Sequence, residues 1–345
     1  MTSFLYPFLV ALGVAFAITP VVKRIAIHVG AFTKPSSRSV HTVPTPHLGG
    51  VAIYLAFSVA TVLFGRLPQK ELYTILAGGA AAVILGTIDD FRPLSPRIKL
   101  LGQVLIAAFA VICGVRIDFL TNPLGGLLLL GRLGGIFTVI WIVSFMNVVN
   151  LIDGIDGLAA GVSSIAAVTL LFVAFRQGQA LAVLLTATLA GSALGFLKYN
   201  FNPAKIFMGD AGAHFLGFTL AAISIEGTLK SAAAVAIIVP VLALGLPILD
   251  TFFAIMRRLW NGQPVGVADR GHLHHRLLDM GLSQRQTCYV MYGISVLLGL
   301  AAVSLTVVQV KQAVLILGCV GTGMFVAARR AGVLETRGQQ KTLKQ

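Results

Sequence analysis

Charge is what this 345-residue chain lacks: only 11% of its residues are Asp, Glu, Lys or Arg, against 57% hydrophobic residues and a mean hydropathy of +0.91. Soluble domains carry roughly 25% charged residues, so the shortage excludes a soluble class and implies an integral membrane protein. Cysteine is scarce as well. Cys113, Cys288 and Cys319 stand apart in or beside apolar runs, a spacing that excludes a disulfide framework or a zinc site and leaves them as small core residues. Long polar stretches are missing too: the longest connection runs from Arg257 to Thr287, too short for a soluble domain of any size. The N-terminus has no positive segment and no small-residue cleavage site before Lys23, so its first apolar run is expected to stay on the protein as a span. No convincing repeat relates the two halves of the chain.

What is there is a series of apolar runs, each of a length to cross ~30 Å of hydrocarbon at ~1.5 Å per residue. Eleven are counted: about 3–22, 48–65, 72–88, 98–116, 132–149, 157–175, 180–197, 212–225, 231–255, 288–308 and 312–328, of which 212–225 is the shortest. The sequence therefore predicts an all-α polytopic membrane protein of about eleven transmembrane helices. One catalytic membrane domain covers 1–328, and a basic cytoplasmic tail covers 329–345. If the loop after the first run is cytoplasmic, alternate loops and the tail hold 19 of the 26 Lys and Arg residues. The positive-inside rule then sets the N-terminus outside and the C-terminus inside, which needs an odd number of spans.

The twelve acidic residues sharpen this reading. Asp89, Asp90, Asp153, Asp156, Asp210, Asp269 and Asp279 fall at the inner face, whereas only Glu71, Asp118 and Glu226 fall on the outer side. Unpaired charge in hydrocarbon costs at least ~2.5–3.5 kcal/mol, so these carboxylates need a metal, a cationic partner or a wet cavity. The candidate active site is on the cytoplasmic face.

Five inner features stand out. "KPSSRSVHTVPTPHLGG", 34–50, has too many prolines and glycines for a helix and forms a stiff basic loop around His41, with a positive-inside anchor as the plainer reading. "GTIDDFRPLSPRIKLLGQ", 86–103, ends a span on adjacent aspartates that belong at a cavity mouth. "NVVNLIDGIDGLAAG", 147–161, spaces Asn147, Asn150, Asp153 and Asp156 three apart, which makes one polar side on a helix; Gly154 and Gly157 favour a break at Asp153. A helix cap at Asp153 or Asp156 is the plainer alternative. "KYNFNPAKIFMGDAGAHFLG", 198–217, sets Asp210 before a small-residue span, again with a cap as the alternative. "PVGVADRGHLHHRLLDMG", 264–281, places His272, His274 and His275 between Arg270 and Arg276. Flanking cations repel a zinc ion, and phosphate suits these residues better.

Carboxylates for a hard cation and cations for anionic oxygen on one face point to membrane-embedded phosphoryl transfer. Mg²⁺ takes one or two carboxylates and completes its shell with waters and phosphate oxygens, while Lys, Arg and protonated His neutralise the remaining charge.

The segments "DDFRPLSPRIKL", "NVVNLIDGIDGLAAG", "FMGDAG" and "GHLHHRLLDMG", in this order, closely resemble the polyprenyl-phosphate N-acetylhexosamine-1-phosphate transferases. The resemblance implies a multi-span enzyme that moves a sugar 1-phosphate from a UDP-sugar to a polyprenyl phosphate, usually undecaprenyl phosphate, releasing UMP with Mg²⁺, or Mn²⁺, as cofactor. By resemblance, Asp89 and Asp90 match a pair linked to lipid-phosphate activation, and Lys99 matches a basic residue near the phosphates. Asn150 and Asp210 match positions that hold the metal and diphosphate. Asp153 and Asp156 match a loop tied to nucleotide recognition and catalysis. Phe207 aligns with an aromatic that stacks on uracil, Asn200 with a polar nucleotide contact, and Arg270, His272, His274, His275 and Arg276 lie near the sugar or its phosphates.

The "HLHHR" pattern looks like the branch using UDP-N-acetylglucosamine for teichoic acid, O-antigen or similar envelope glycans, since Leu273 interrupts the histidines and Arg276 follows them. The phospho-N-acetylmuramoyl-pentapeptide branch is the alternative, and a secondary transporter is the alternative of another class. The expected partners are the UDP-sugar, the polyprenyl phosphate and the membrane, with no nucleic acid and with a homodimer left open. The expected location is the inner (plasma) membrane. Direct attack by the lipid phosphate and a covalent carboxyl-phosphate intermediate both remain open. Asp250, inside the ninth run, is expected to pair toward the cytosolic end, and Asn147 to be structural.

Overall fold

A computed structural model describes residues 2–33, 44–65, 69–121, 126–229, 237–260, 262 and 271–330. The basic loop around His41, Arg270, Asp269 and the tail from 331 lie outside the described residues. Thirteen α-helices are found among the described residues: α1 (Thr2–His28), α2 (Gly49–Phe64), α3 (Lys70–Phe91), α4 (Pro96–Ile112), α5 (Leu133–Ile152), α6 (Leu158–Arg176), α7 (Ala180–Asn200), α8 (Gly209–Ser224), α9 (Ile238–Ala243), α10 (Gly245–Trp260), α11 (Leu273–Asp279), α12 (Gln284–Leu305) and α13 (Val310–Arg330). The remaining regular structure among the described residues is a π-helical turn, Ile225–Leu229, and two antiparallel pairs of very short strands, Phe32–Thr33 with Thr45–Pro46 and Phe119–Thr121 with Leu127–Leu129.

The fold is all-α. Among the described residues, six helices are long and apolar enough to cross a membrane: Phe4–His28, Lys70–Phe91, Leu133–Ile152, Leu158–Arg176, Ala180–Asn200 and Gln284–Leu305. Leu105 on α4, Ile136 on α5 and Leu297 on α12 remain exposed. A soluble monomer rarely exposes large apolar patches, so these outward faces suit lipid.

Centrally, α7 packs between α1 and α6, and α8 packs against α3, α5 and α2. The run 212–225, shortest by sequence, becomes the 16-residue α8, buried continuously from Ala211 to Ser224. Its brevity suits a helix walled by protein. Small residues allow the close approach: any Cβ at Gly86 of α3 would collide with the Ala211 backbone, and one at Gly50 of α2 with the Gly212 backbone. Trp141 of α5 adds a polar tie by donating its indole N–H to Ser224 Oγ at 2.9 Å.

The ninth expected run, 231–255, does not form one helix. Its described part is divided at Leu244 into α9 and α10. Pro247 has no N–H with which to reach the Ala243 carbonyl one turn back, which interrupts the helix there.

Local signals set the starts of two helices, α4 and α12. Ser95 Oγ accepts the Ile98 N–H at the start of α4, with Pro96 in the first turn, where its missing donor costs nothing. Ser283 and Gln286 form a reciprocal capping box at the start of α12.

Candidate active site

The site is built on the first turn of α8. The segment leading into it is pinned by backbone hydrogen bonds to the 46–50 segment: Phe207 N–H donates to Pro46 O at 2.8 Å, Gly49 N–H to Phe207 O at 2.9 Å, and Gly50 N–H to Met208 O at 2.9 Å. Gly209 then turns with φ 73°, and a Cβ there would meet Asp90 Oδ2 at 2.5 Å. The N-cap of α8 is Met208, which offers no side-chain bond. Asp210 is therefore one step inside the helix rather than its cap.

The cap comes from α3. Asp90 Oδ1 accepts the Asp210 N–H at 2.9 Å and Asp90 Oδ2 accepts the Ala211 N–H at 3.3 Å. A carboxylate at a helix N-terminus satisfies orphan donors and meets the positive end of the dipole. Its neighbour turns the other way: Asp89 Oδ1 accepts the Leu94 N–H at 2.6 Å, and Asp89 Oδ2 lies 2.8 Å from Lys99 Nζ. The adjacent aspartates thus divide, one anchoring α8 and one facing Lys99.

Lys99, from the first turn of α4, bridges Asp89 and Asp210, with Nζ 2.5 Å from Asp210 Oδ2. Asn150, near the end of α5, donates from Nδ2 to Asp210 Oδ1 at 2.6 Å. Four helices, α3, α4, α5 and α8, converge on Asp210. Asn147, one turn before Asn150, is turned away into an amide pair with Gln103 of α4, donating from Nδ2 at 2.7 Å, and bonds the Val143 carbonyl.

The next wall is the turn between α5 and α6. α5 stops at Ile152, with Asp153 as its C-cap, and α6 starts after Gly157 at φ 83°, so neither aspartate caps the following helix and the polar ridge ends in a turn. Burial raises the Asp153 pKa well above the usual carboxylate range, and the nearby Asp210, Asp90 and Asp156 charges add to the shift. Asp156 is buried, and its Oδ2 accepts the Asn202 Nδ2–H at 3.0 Å and the Ala204 N–H at 2.9 Å. Asn200, also buried, spends its amide on the backbone, accepting from Gly157 N–H and donating to Ile206 O, both at 3.1 Å. From α12, Tyr292 O–H donates to Gly157 O at 2.6 Å and Cys288 S–H to Asp156 O at 3.3 Å. Asp156 and Asn200 therefore brace the turn and the 200–206 loop, an assignment their spacing alone did not suggest. Phe207 is half-buried at the edge of the same loop.

The histidine segment closes against this turn. Asp250 of α10 accepts from Leu273 N–H at 2.8 Å, and its other oxygen lies 2.9 Å from His272 Nδ1. The His272 and His274 rings stack with centroids 5.8 Å apart, and His275 lies 4.2 Å from His274. His274 lies against Gly154: a Cβ there would sit 2.7 Å from His274 Nε2. Burial lowers the His274 pKa to about 3, with the charge of His275 lowering it further and Asp250 opposing. A buried imidazole packed against a second one favours the neutral form. Arg276 and Arg257 are buried beside Gly271, with Arg276 Nε donating to Gly271 O at 3.2 Å.

One residue of the site escaped the sequence reading. Asp89, Asp210 and His214 each offer a ligand atom, and the three atoms lie within 4.8 Å of one another. The available signal was spacing, since His214 falls one helical turn after Asp210. Several carboxylates around a single ammonium, Lys99, form a donor set suited to a divalent cation and to phosphate oxygens.

Comparison with known proteins accords with this geometry. Residues 72–228 match the family model described as glycosyl transferase family 4. A probable undecaprenyl-phosphate N-acetylglucosaminyl 1-phosphate transferase of Bacillus subtilis is 38% identical over 306 residues, covering 88% of this chain and 86% of that protein. The chain belongs to glycosyl transferase family 4. Two further family relatives are a decaprenyl-phosphate N-acetylglucosaminephosphotransferase of Mycobacterium leprae, 34% identical over 82% of this chain and 79% of its own length, and an undecaprenyl-phosphate alpha-N-acetylglucosaminyl 1-phosphate transferase of Yersinia pestis, 27% identical over 83% and 78%. The segment matched to the glycosyl transferase family 4 model includes Asp89, Lys99, Asn150, Asp153 and Asp210. It ends before the histidine segment, which the tertiary fold returns to Gly154.

Proposed function

We propose that this chain transfers N-acetylglucosamine 1-phosphate from UDP-N-acetylglucosamine to undecaprenyl phosphate and releases UMP. The reaction takes place at the cytosolic face of a multi-pass plasma-membrane enzyme with eleven spans, its N-terminus outside and its C-terminus inside. The observation that carries the reading is the convergence of Asp89, Lys99, Asn150 and Asp210 on one point at the mouth of an apolar bundle. The names of the relatives supply the substrate classes.

In this reading Asp89 and Asp210 would hold Mg²⁺, while Asn150, which the resemblance also set at the metal, donates its amide N–H to the Asp210 carboxylate and would fix it there. Bound there, the ion would neutralise charge on the donor diphosphate. Lys99, freed from its bridge, faces a phosphate oxygen. An oxygen of the lipid phosphate attacks the sugar-side phosphorus, and the bond from that phosphorus to the bridging oxygen breaks. The bridging oxygen leaves with UMP. Asp153 lies where it can accept a proton or orient the nucleotide, and His274, neutral, offers a hydrogen bond rather than a charge. Arg276 lies near the sugar phosphate.

Purified protein in detergent, given polyprenyl phosphate and a panel of UDP-sugars, tests the proposal. UMP release with UDP-N-acetylglucosamine that requires both lipid and Mg²⁺ is expected. Release with UDP-N-acetylmuramoyl-pentapeptide alone would move the chain to the peptidoglycan branch. No lipid-dependent release with any UDP-sugar would overturn the enzyme reading and revive transport.

A further inference from the structure

His214 is fully buried on α8, one turn beyond Asp210 and therefore on the same helix face. Neither of its ring nitrogens makes a hydrogen bond of normal geometry among the described residues, although the Met146 backbone lies nearby. With the Met146 backbone as the polar neighbour of one ring nitrogen, the other nitrogen carries a desolvation cost that an apolar side chain in the same space would not. One ring nitrogen lies within 4.8 Å of a carboxylate oxygen of Asp89 and of Asp210. Around an ion with ligands at ~2.1 Å, adjacent ligands stand ~3.0 Å apart and opposite ones ~4.2 Å, so the three donors would draw together around a bound ion.

We propose that His214 is a nitrogen ligand of the divalent cation held by Asp89 and Asp210, and that it tunes this site toward a first-row transition ion over Mg²⁺. The proposal rests on the metal-dependent reading above. Mg²⁺ keeps to oxygen ligands and its waters, whereas first-row ions gain from imidazole. Asp89 and Asp210 supply the charge, and His214 supplies the discrimination.

The test uses full-length protein in detergent, without substrate, and Mn²⁺ as a paramagnetic probe. Electron spin-echo modulation should show a directly bound nitrogen in the wild type that disappears in His214→Gln. Mn²⁺ affinity in that variant should fall about tenfold, a loss of the size seen when support for a metal ligand is removed, while affinity for Mg²⁺ measured by competition stays nearly unchanged. Asp210→Asn should abolish Mn²⁺ binding. Asp210-dependent binding without nitrogen coupling, or with coupling that survives in His214→Gln, overturns the role of His214 and leaves the metal site standing. Absence of Asp210-dependent binding in the wild type overturns both. Should His214→Gln fail to fold, wild-type protein labelled with ¹⁵N-histidine decides: the coupling must change isotope pattern, and an unchanged pattern overturns the proposal.

Discussion

Asp90 of α3 accepts the backbone N–H of Asp210 on α8 at 2.9 Å, while the Asp210 side chain is held by Lys99 and Asn150. One aspartate therefore sets the position of another through the main chain, and this relationship separates two adjacent carboxylates that sequence treats as a pair.

The separation predicts different losses. Asp90→Ala leaves two N–H donors at the α8 terminus without their charged partner, at about 1–3 kcal/mol, and should lower the detergent melting temperature together with activity. Asp89→Asn keeps the bond from Leu94 N–H but removes the charge facing Lys99, and should reduce turnover roughly 100-fold, a typical loss for one electrostatic group, with little change in melting. Equal melting losses in both variants would refute the division of labour.

Asp153 predicts a pH dependence. Its folded pKa lies above its unfolded value because of burial and the surrounding aspartate charges, so the folded state favours the protonated form. The stability linked to this group is complete below the unfolded pKa, near the usual carboxylate value, and is lost as pH rises through the folded one. Asp153→Asn removes the titration. In chelator without substrate, its melting temperature relative to wild type should climb with pH, while UMP release falls. A difference that stays flat with pH would refute the buried charge.

Gly154 lies under His274, with 2.7 Å between the position a Cβ would take there and His274 Nε2. Gly154→Ala should push the histidine segment off the turn and cost about 100-fold in turnover, as misplacement by ~1 Å does, with the helical content by circular dichroism retained. Wild-type turnover in this variant would show that the contact does not matter.

Asp250 predicts a graded series. It holds both the His272 ring and the start of α11. Asp250→Asn can still accept from Leu273 N–H and should keep more activity than Asp250→Ala, which loses both bonds. The expected order of UMP release is wild type, Asn, Ala; equal release by Asn and Ala variants would place the effect elsewhere.

Much of the architecture was legible because hydrocarbon imposes a simple code. Most of the long apolar runs became helices, and the segments carrying Asp89, Asn150, Asp153 and Asp210 were readable as one polar face. The break at Leu244 was not read, since the run 231–255 is apolar throughout and hydropathy does not register the donor that Pro247 lacks. His214 was not singled out because a lone histidine in an apolar helix gains meaning only from what stands opposite. Arg270 and the basic loop around His41 lie outside the described residues, so their places in the expected site are undescribed.

By itself the sequence determined the membrane class and the gathering of carboxylates and cations on one side, because burying charge in lipid is costly wherever the chain folds. Only the tertiary structure decided which carboxylate faces which partner. Asp89 and Asp90 are adjacent in sequence, yet their side chains leave α3 about 100° apart, so one meets Lys99 and the other meets the end of α8. The same packing spends Asp156 and Asn200 on bracing a turn and brings His274, more than a hundred residues away, onto Gly154. Side-chain direction and helix approach, fixed by glycines such as Gly50 and Gly86, made those assignments.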